Sequence, residues 1–128
     1  MTSINFPNNA AFVGNRPYAD IILHPGQGNS AVHKCLVDTG ADYLQLPARA
    51  ATAIGLSLHQ ASSFQVNTAG GTVSNLLLMH QVPVSIEGYI VTVDVLFDPS
   101  NTALPLAGRN ILLAAFDIGF QPSTWHWT

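Results

Sequence analysis

The stretch CLVDTGADYLQLP, residues 35–47, places two aspartates within five residues, directly after an apolar run. Charged residues make up 9% of the chain and hydrophobic residues 48%, whereas an ordinary domain carries about 25% charged residues. A carboxylate next to Val37 is costly to bury unless it is paired, hydrogen-bonded or functional. Asp38 is therefore the first candidate for a functional side chain.

Length and charge restrict the class of protein. A chain of 128 residues predicts one domain with its own core. Its formal net charge of −3 argues against nucleic-acid binding, which usually needs a basic face. No stretch approaches the roughly eighteen apolar residues of a membrane span, and the N-terminus after Met1 shows neither a signal-peptide pattern nor a pro-segment. We expect a cytoplasmic protein with no membrane partner and, with Cys35 as its single cysteine, no intrachain disulfide.

Hydrophobic periodicity and turn signals predict an all-β fold, mainly strands with two short helices. Helices are predicted at PARAATAIGL (47–56) and RNILLAAF (109–116), the first ending at Gly55. The glycine-rich NTAGGTV (67–73) predicts a hairpin tip, after which SNLLLMHQV and VPVSI read as successive strands. Residues 1–16 are expected to form an arm, either loose or a short edge strand. Residues 17–128 are expected to form the single domain.

Two short motifs flank that hairpin tip. Asp-Thr-Gly by itself is weak, because a polar turn after a strand has the same composition. Here LVDTGAD (36–42) is followed by LAGRNIL (106–112), with NTAGGTV between them. In this order the motifs resemble those of the retropepsins, the retroviral-type aspartic proteases, with the similarity running from about residue 17 to 121. They look like the active-site loop, the flap and the second signature of that family.

The resemblance implies a retropepsin-like closed β-barrel that is one half of a two-fold symmetric dimer. Each chain of the homodimer would supply one catalytic Asp38; FDIG (116–119) does not provide a second motif within the chain. The implied catalytic residues are Asp38, Thr39 and Gly40. The implied substrate-binding residues are Gly40, Ala41, Asp42, Ala69, Gly70 and Gly71. The implied supporting residues are Gly108, Arg109 and Asn110.

The resemblance also assigns roles. Thr39 would hydrogen-bond across the two-fold axis, and Gly40 would let the backbone turn tightly and approach the substrate. Asp42 would form a nearly buried ion pair with Arg109; the alternative is a solvated arginine at a helix start. Residues 69–71 would be the tip of a flap that closes over a bound peptide; the alternative is a plain hairpin turn.

The last strand is a further candidate for the dimer interface. Retropepsins pair their chain termini in an intermolecular sheet, and STWHWT (123–128) could do so, with Trp125 and Trp127 supplying buried area. The alternative is that these tryptophans pack on their own subunit.

No cofactor or metal is expected, because the five histidines show no His-x-x-x-His spacing and there is no cysteine pair. Cys35 is interpreted as a small buried hydrophobe. The predicted function is an aspartic endopeptidase acting on an extended peptide, with water activated between two Asp38 carboxylates. The alternatives are a non-catalytic dimeric module of the same fold that binds a peptide or partner, and a protease acting only on its own precursor.

Overall fold

The computed structural model describes residues 6–24, 31–67 and 73–128. In these residues the chain is mostly β, with two short helices, as predicted from the sequence. The strands are β1 (Asn8–Ala11), β2 (Tyr18–Leu23), β3 (His33–Val37), β4 (Leu44–Pro47), β5 (Ser62–Asn67), β6 (Val73–Ile86), β7 (Tyr89–Asp98), β8 (Leu106–Ala107), β9 (Ile118–Gln121) and β10 (Thr124–Trp127). The helices are α1 (Ala48–Thr52) and α2 (Arg109–Ala115).

The larger sheet has the strand order β2-β3-β8-β4-β7-β6-β5, and β2 also pairs with β6. The β3–β8 and β4–β7 pairs are parallel, and the other pairs are antiparallel. In the β3–β8 pair Val37 lies opposite Ala107. Because parallel strands end at the same edge of a sheet, Asp38 and Gly108 emerge side by side. The fold thus joins two motifs that lie seventy residues apart.

The core lies under this sheet and follows the alternation of its strands. On β2, Ala19, Ile21 and Leu23 are buried, while the residues between them are half-buried. The helices add Ala51 and Ile111 to the same cluster. Each fully buried side chain of leucine or isoleucine size contributes about 1.5–3 kcal/mol. Within the described ranges, no helix has the length and apolar character needed to cross a membrane.

Two elements differ from the sequence prediction. The first helix is present, but it spans five residues, Ala48–Thr52, and not the whole of the predicted range 47–56. Gly55 takes the left-handed backbone with φ 75°, which ends the turn and directs the chain onward. SNLLLMHQV and VPVSI form one continuous strand, β6. Its pairing with β7 shifts register between Met79 and Val82, where Gln81 takes a positive φ of 56°.

A second, three-stranded sheet has the order β1-β10-β9. It places β10 in the centre, paired on one side with β1 and on the other with β9. Trp125 and Trp127 are 0% and 7% exposed within the chain, and their rings stack with centroids 4.2 Å apart. Both edges of β10 are occupied within the chain, and both rings are core residues of their own subunit, which is the alternative that the sequence left open. The part of this strand in a dimer interface stays a prediction.

Candidate active site

Asp38 lies at the end of β3, in a turn held by backbone hydrogen bonds. Its N–H donates to the carbonyl of Ala107 (3.0 Å), and its carbonyl accepts from the N–H of Ala41 (3.2 Å). Its Oδ1 accepts from the N–H of Gly40 at 2.9 Å. The preceding Val37 is buried and Asp38 is half-buried. The strand thus anchors the carboxylate to the core and leaves it accessible from one side.

Gly40 serves this turn through its lack of a side chain. It lies in the tight turn that the Ala41 N–H closes on the Asp38 carbonyl, without the left-handed backbone seen at Gly14, Gly55 and Gly88. A Cβ at position 40 would lie 3.2 Å from the Asp38 Oδ1. Glycine therefore leaves room for the carboxylate beside the backbone.

The start of α2 packs directly against the loop that follows Asp38. The backbone N–H of Arg109 donates to the carbonyl of Ala41 (2.8 Å), and that of Asn110 donates to the carbonyl of Asp42 (3.1 Å). At Gly108 a Cβ would lie 2.7 Å from the carbonyl carbon of Tyr43, so only glycine allows this approach. The two motifs form one structural unit.

The predicted contact between Arg109 and Asp42 is present. The guanidinium donates to the Asp42 carboxylate, and it also donates to the Thr39 carbonyl at 2.8 Å. The expectation of a nearly buried pair is wrong for the chain by itself, in which the two side chains are 46% and 70% exposed. The pair lies at the surface because no other element of the chain covers it among the described residues.

Asn110 ties the loop to the sheet beneath it. Its Oδ1 accepts from the N–H of Leu44 (2.7 Å), and its Nδ2 donates to the carbonyl of Asp94 on β7 (2.7 Å). The side-chain amide thus joins the start of β4 to β7. These two hydrogen bonds fix the position at which the Asp38 loop ends and β4 begins.

A cleft of about 460 Å³ opens beside this loop. Its floor is the loop itself, its apolar wall comes from β5, β7 and β8, and Gln45 supplies a polar group. The lining residues are Gly40, Ala41, Asp42, Tyr43, Gln45, Phe64, Gln65, Val66, Leu96 and Leu106. The rings of Tyr43 and Phe64 meet edge to face with centroids 5.6 Å apart. The cleft can accept an extended chain with an apolar side chain.

The sequence of the site has a family match. Residues 25–113 match the family model described as "gag-polyprotein putative aspartyl protease". The chain belongs to this family. Among curated proteins, no match was found. The matched range of this aspartyl protease family contains both motifs and the hairpin between them.

The flap expected from the sequence is described in part. Strands β5 and β6 pair antiparallel up to Asn67 opposite Val73, which confirms a hairpin at the predicted place. Ala69, Gly70 and Gly71 lie outside the described residues. Phe64 and Val66, on the β5 arm, line the cleft, so the base of the hairpin borders the site.

Some cleft residues were missed by sequence reasoning. The sequence predicts Phe64 and Leu96 only as strand residues, and Leu106 only as the start of the second motif. Period-two alternation indicates which residues share a face, but it does not indicate which face borders a cleft. Leu44, by contrast, follows the loop in sequence but is fully buried in the core.

Other chemistry-bearing side chains do not join the site. Burial, with a smaller contribution from the Asp20 charge, raises the pKa of the Cys35 thiol to about 12. It is therefore a neutral core residue, as interpreted from the sequence. Across residues 6–24, 31–67 and 73–128, no cluster of three histidine, cysteine, aspartate or glutamate side chains could hold a metal ion.

Proposed function

We propose that this chain is one half of an aspartic endopeptidase, which becomes active when two copies bring their Asp38 carboxylates together. The observation that carries the proposal is the Asp38 loop. It presents a half-buried carboxylate, one oxygen of which accepts a hydrogen bond from Gly40. The second motif holds the loop through backbone hydrogen bonds from Arg109 and Asn110. The chain contains a single Asp-Thr-Gly, and membership of the aspartyl protease family supports the same reading.

The chemistry follows from the proximity of two like charges. Two adjacent carboxylates cannot both ionise, so the pair holds one proton and titrates as a unit. The ionised member removes a proton from water as the water oxygen attacks the peptide carbonyl, and the protonated member gives its proton to the carbonyl oxygen, so that a tetrahedral diol forms. The dyad then gives a proton to the leaving amine as the C–N bond breaks, and it takes one back from a diol hydroxyl. No metal or cofactor takes part.

The surrounding residues would position this chemistry. Arg109 holds the Thr39 carbonyl and the Asp42 carboxylate together. The Thr39 hydroxyl would form a bond across the two-fold axis. Asp42 and the backbone of Gly40 and Ala41 face the cleft, where they can bind substrate backbone. Residues 69–71 would close over the peptide as a flap.

The substrate would be an extended peptide that adds as a strand between the flap and the Asp38 loop. Phe64, Leu96 and Leu106 would contact an apolar side chain of that peptide, and Gln45 could donate or accept a hydrogen bond beside them. Residues 17–128 would form the domain as a closed barrel. Its closure is supported by the pairing of β2 with β3 on one side and β6 on the other.

The test is a cleavage assay on a diverse mixture of unfolded peptides, run from about pH 4 to pH 7, where carboxyl dyads are partly protonated. Products are identified by mass spectrometry, with Asp38→Asn as the matched control. Cleavage by the wild type that is absent in the variant supports the proposal. A folded dimer that cleaves nothing at any pH contradicts it, and would favour the non-catalytic peptide-binding module.

A further inference from the structure

Gln45 is a single amide between leucines on the cleft side of the large sheet. Its neighbours along β4, Leu44 and Leu46, are 0% and 1% exposed and belong to the core. Because side chains alternate between the two faces of a strand, Gln45 projects from the opposite face, where it lines the cleft. Across the sheet it pairs with Leu96 of β7 on one side and with Leu106 of β8 on the other. This row of three side chains therefore has one polar group flanked by two apolar ones.

The side-chain amide of Gln45 has no hydrogen-bond partner among the residues that the structure describes. The residue is half-buried, and in the same ranges every fully buried side-chain nitrogen or oxygen atom has a partner. The two polar atoms of the amide are therefore accessible to a ligand. An amide that loses its water without gaining a partner costs about 1–3 kcal/mol, so a ligand that covers Gln45 must supply hydrogen bonds to it.

A second cavity, of about 380 Å³, adjoins the cleft at Gln45. The cleft and this cavity share three lining residues, Gln45, Val66 and Leu106. The second cavity lies between the base of the β5–β6 hairpin and the loop that follows β7. Its lining residues are Gln45, Val66, Leu76, Asp98, Ser100, Thr102, Ala103 and Leu106. A side chain that enters the cleft can thus extend past Gln45 into a further, partly polar space.

The polar side chains of the loop after β7 are largely bonded to one another. The Asp98 carboxylate accepts from three backbone N–H groups of the loop and from the Ser100 hydroxyl, the last at 2.7 Å. Since the Ser100 hydroxyl gives its one proton to this carboxylate, its 2.8 Å contact with the Thr102 hydroxyl is donated by Thr102. Thr102 keeps only acceptor capacity. Among the side chains that line the second cavity, Gln45 therefore supplies the free donor, together with an acceptor oxygen.

We propose that the second cavity receives a carboxamide side chain of the peptide substrate, glutamine or asparagine, and that Gln45 selects it. The proposal rests on the proposed function, which places an extended peptide in the cleft. The carbonyl oxygen of the carboxamide accepts from the Gln45 amide nitrogen, and its NH₂ donates to the Gln45 oxygen or to the Thr102 hydroxyl. Its methylene groups contact Val66 and Leu106, which line both spaces.

Other side chains fit this cavity less well. An aliphatic side chain would cover the Gln45 amide and leave it unpaired. A carboxylate would enter beside the negative charge of Asp98. An ammonium group would lose its water in a partly apolar lining and would leave the Gln45 NH₂ without an acceptor. A carboxamide offers both a donor and an acceptor and carries no charge.

The proposal is tested on the products of the peptide-mixture assay. When the bonds cleaved by the wild type are aligned, glutamine and asparagine should be enriched at one position beside the scissile bond. Gln45→Met removes the amide at nearly constant volume, so the residues enriched at that position should change to leucine, methionine or valine. The matched control is Gln65→Met, which should keep the wild-type preference because Gln65 lines the same cleft but is exposed, so that water satisfies its amide. Denaturant unfolding checks that the variants fold, and Gln45→Leu, which matches the flanking leucines, is the second variant.

Two synthetic peptides that differ only in glutamine or methionine at the enriched position make the test quantitative. In the wild type kcat/KM should be at least about tenfold higher for the glutamine peptide, as one or two hydrogen bonds predict, and Gln45→Met should remove or reverse this ratio. Cleavage by the wild type without a carboxamide preference, or a preference that persists in Gln45→Met, overturns the role of Gln45 and leaves the proposed function intact. A preference for lysine or arginine at this position also overturns it, since the Asp98 charge would then select the side chain. A folded wild-type dimer that cleaves nothing overturns both proposals.

Discussion

Asp38 and Asp98 both stand at the end of a strand of the large sheet, yet their carboxylates have different surroundings. Asp98 is 5% exposed. Its Oδ1 accepts from the N–H and hydroxyl of Ser100, and its Oδ2 accepts from the N–H groups of Thr102 and Ala103. Asp38 is half-buried, and among the described residues it has one such bond, from Gly40. A carboxylate whose oxygens are both occupied shapes a loop, whereas one with a free oxygen can act on water.

The largest expected effect is the loss of cleavage in Asp38→Asn. An amide cannot share a proton with its counterpart, so kcat/KM should fall by about 10²–10⁴-fold or more. The free energy of unfolding should stay within about 0.5 kcal/mol of wild type, and the dimer should be at least as tight because like-charge repulsion is removed. Peptide kinetics, denaturant unfolding and sedimentation measure the three quantities. Undiminished cleavage would remove Asp38 from the mechanism.

Asp98→Asn should produce the opposite profile, a loss of stability. Its amide NH₂ would face the N–H groups of Thr102 or Ser100, which leaves buried donors unsatisfied and lowers the free energy of unfolding by about 2–3 kcal/mol. Denaturant unfolding measures the change. The exposed Asp117→Asn is the control and should shift stability by less than about 0.5 kcal/mol. Equal effects at positions 98 and 117 would show that the hydrogen bonds of Asp98 are not stabilising.

The same contrast predicts a pH dependence. Burial by itself would raise the pKa of Asp98, but its hydrogen bonds with Ser100, Ala103 and Thr102 together lower that pKa below its ordinary value. The folded state therefore binds this proton less readily than the unfolded state, so its stabilising effect is present above the ordinary pKa and is lost as pH falls through the lower, folded value. The stability difference between wild type and Asp98→Asn should shrink in this acid range. A difference that grows on acidification would contradict the sign of the shift.

Arg109→Lys is expected to have the smallest effect. The Asp98 loop is held by its own carboxylate, whereas the Asp38 loop depends on a guanidinium that bridges Thr39 and Asp42. A lysine can satisfy one of these acceptors, so kcat/KM should fall about tenfold for one lost charge-assisted hydrogen bond. Stability should change by less than about 1 kcal/mol, since the pair is exposed. If the free energy of unfolding falls by more than the free energy equivalent of the loss in kcat/KM, the pair serves mainly to stabilise the fold.

The resemblance of the two motifs predicted the contact between the Asp38 loop and α2 better than local sequence signals predicted the terminal sheet. The Arg109–Asp42 contact, implied by that resemblance, forms where the β3–β8 pairing brings the two motifs together. The pairing of β10 with both β1 and β9 could not be read locally, because alternation marks Trp125 and Trp127 as one face without showing what covers it. The hairpin between β9 and β10 turns at Pro122 and Ser123, a signal present in the sequence and not used. The irregularity at Gln81 in β6 has no such signal, since glutamine rarely adopts a positive φ.

The central claim, that two Asp38 carboxylates form one active site, is tested most directly by mixing subunits. Wild type and Asp38→Asn are combined at fixed total concentration, well above the dimer dissociation constant, and allowed to exchange before peptide cleavage is measured. If each site needs both carboxylates, random pairing makes activity follow the square of the wild-type fraction, so an equal mixture retains about a quarter of the activity. Retention of about half, with activity linear in the wild-type fraction, would show that each chain acts independently and would contradict the account.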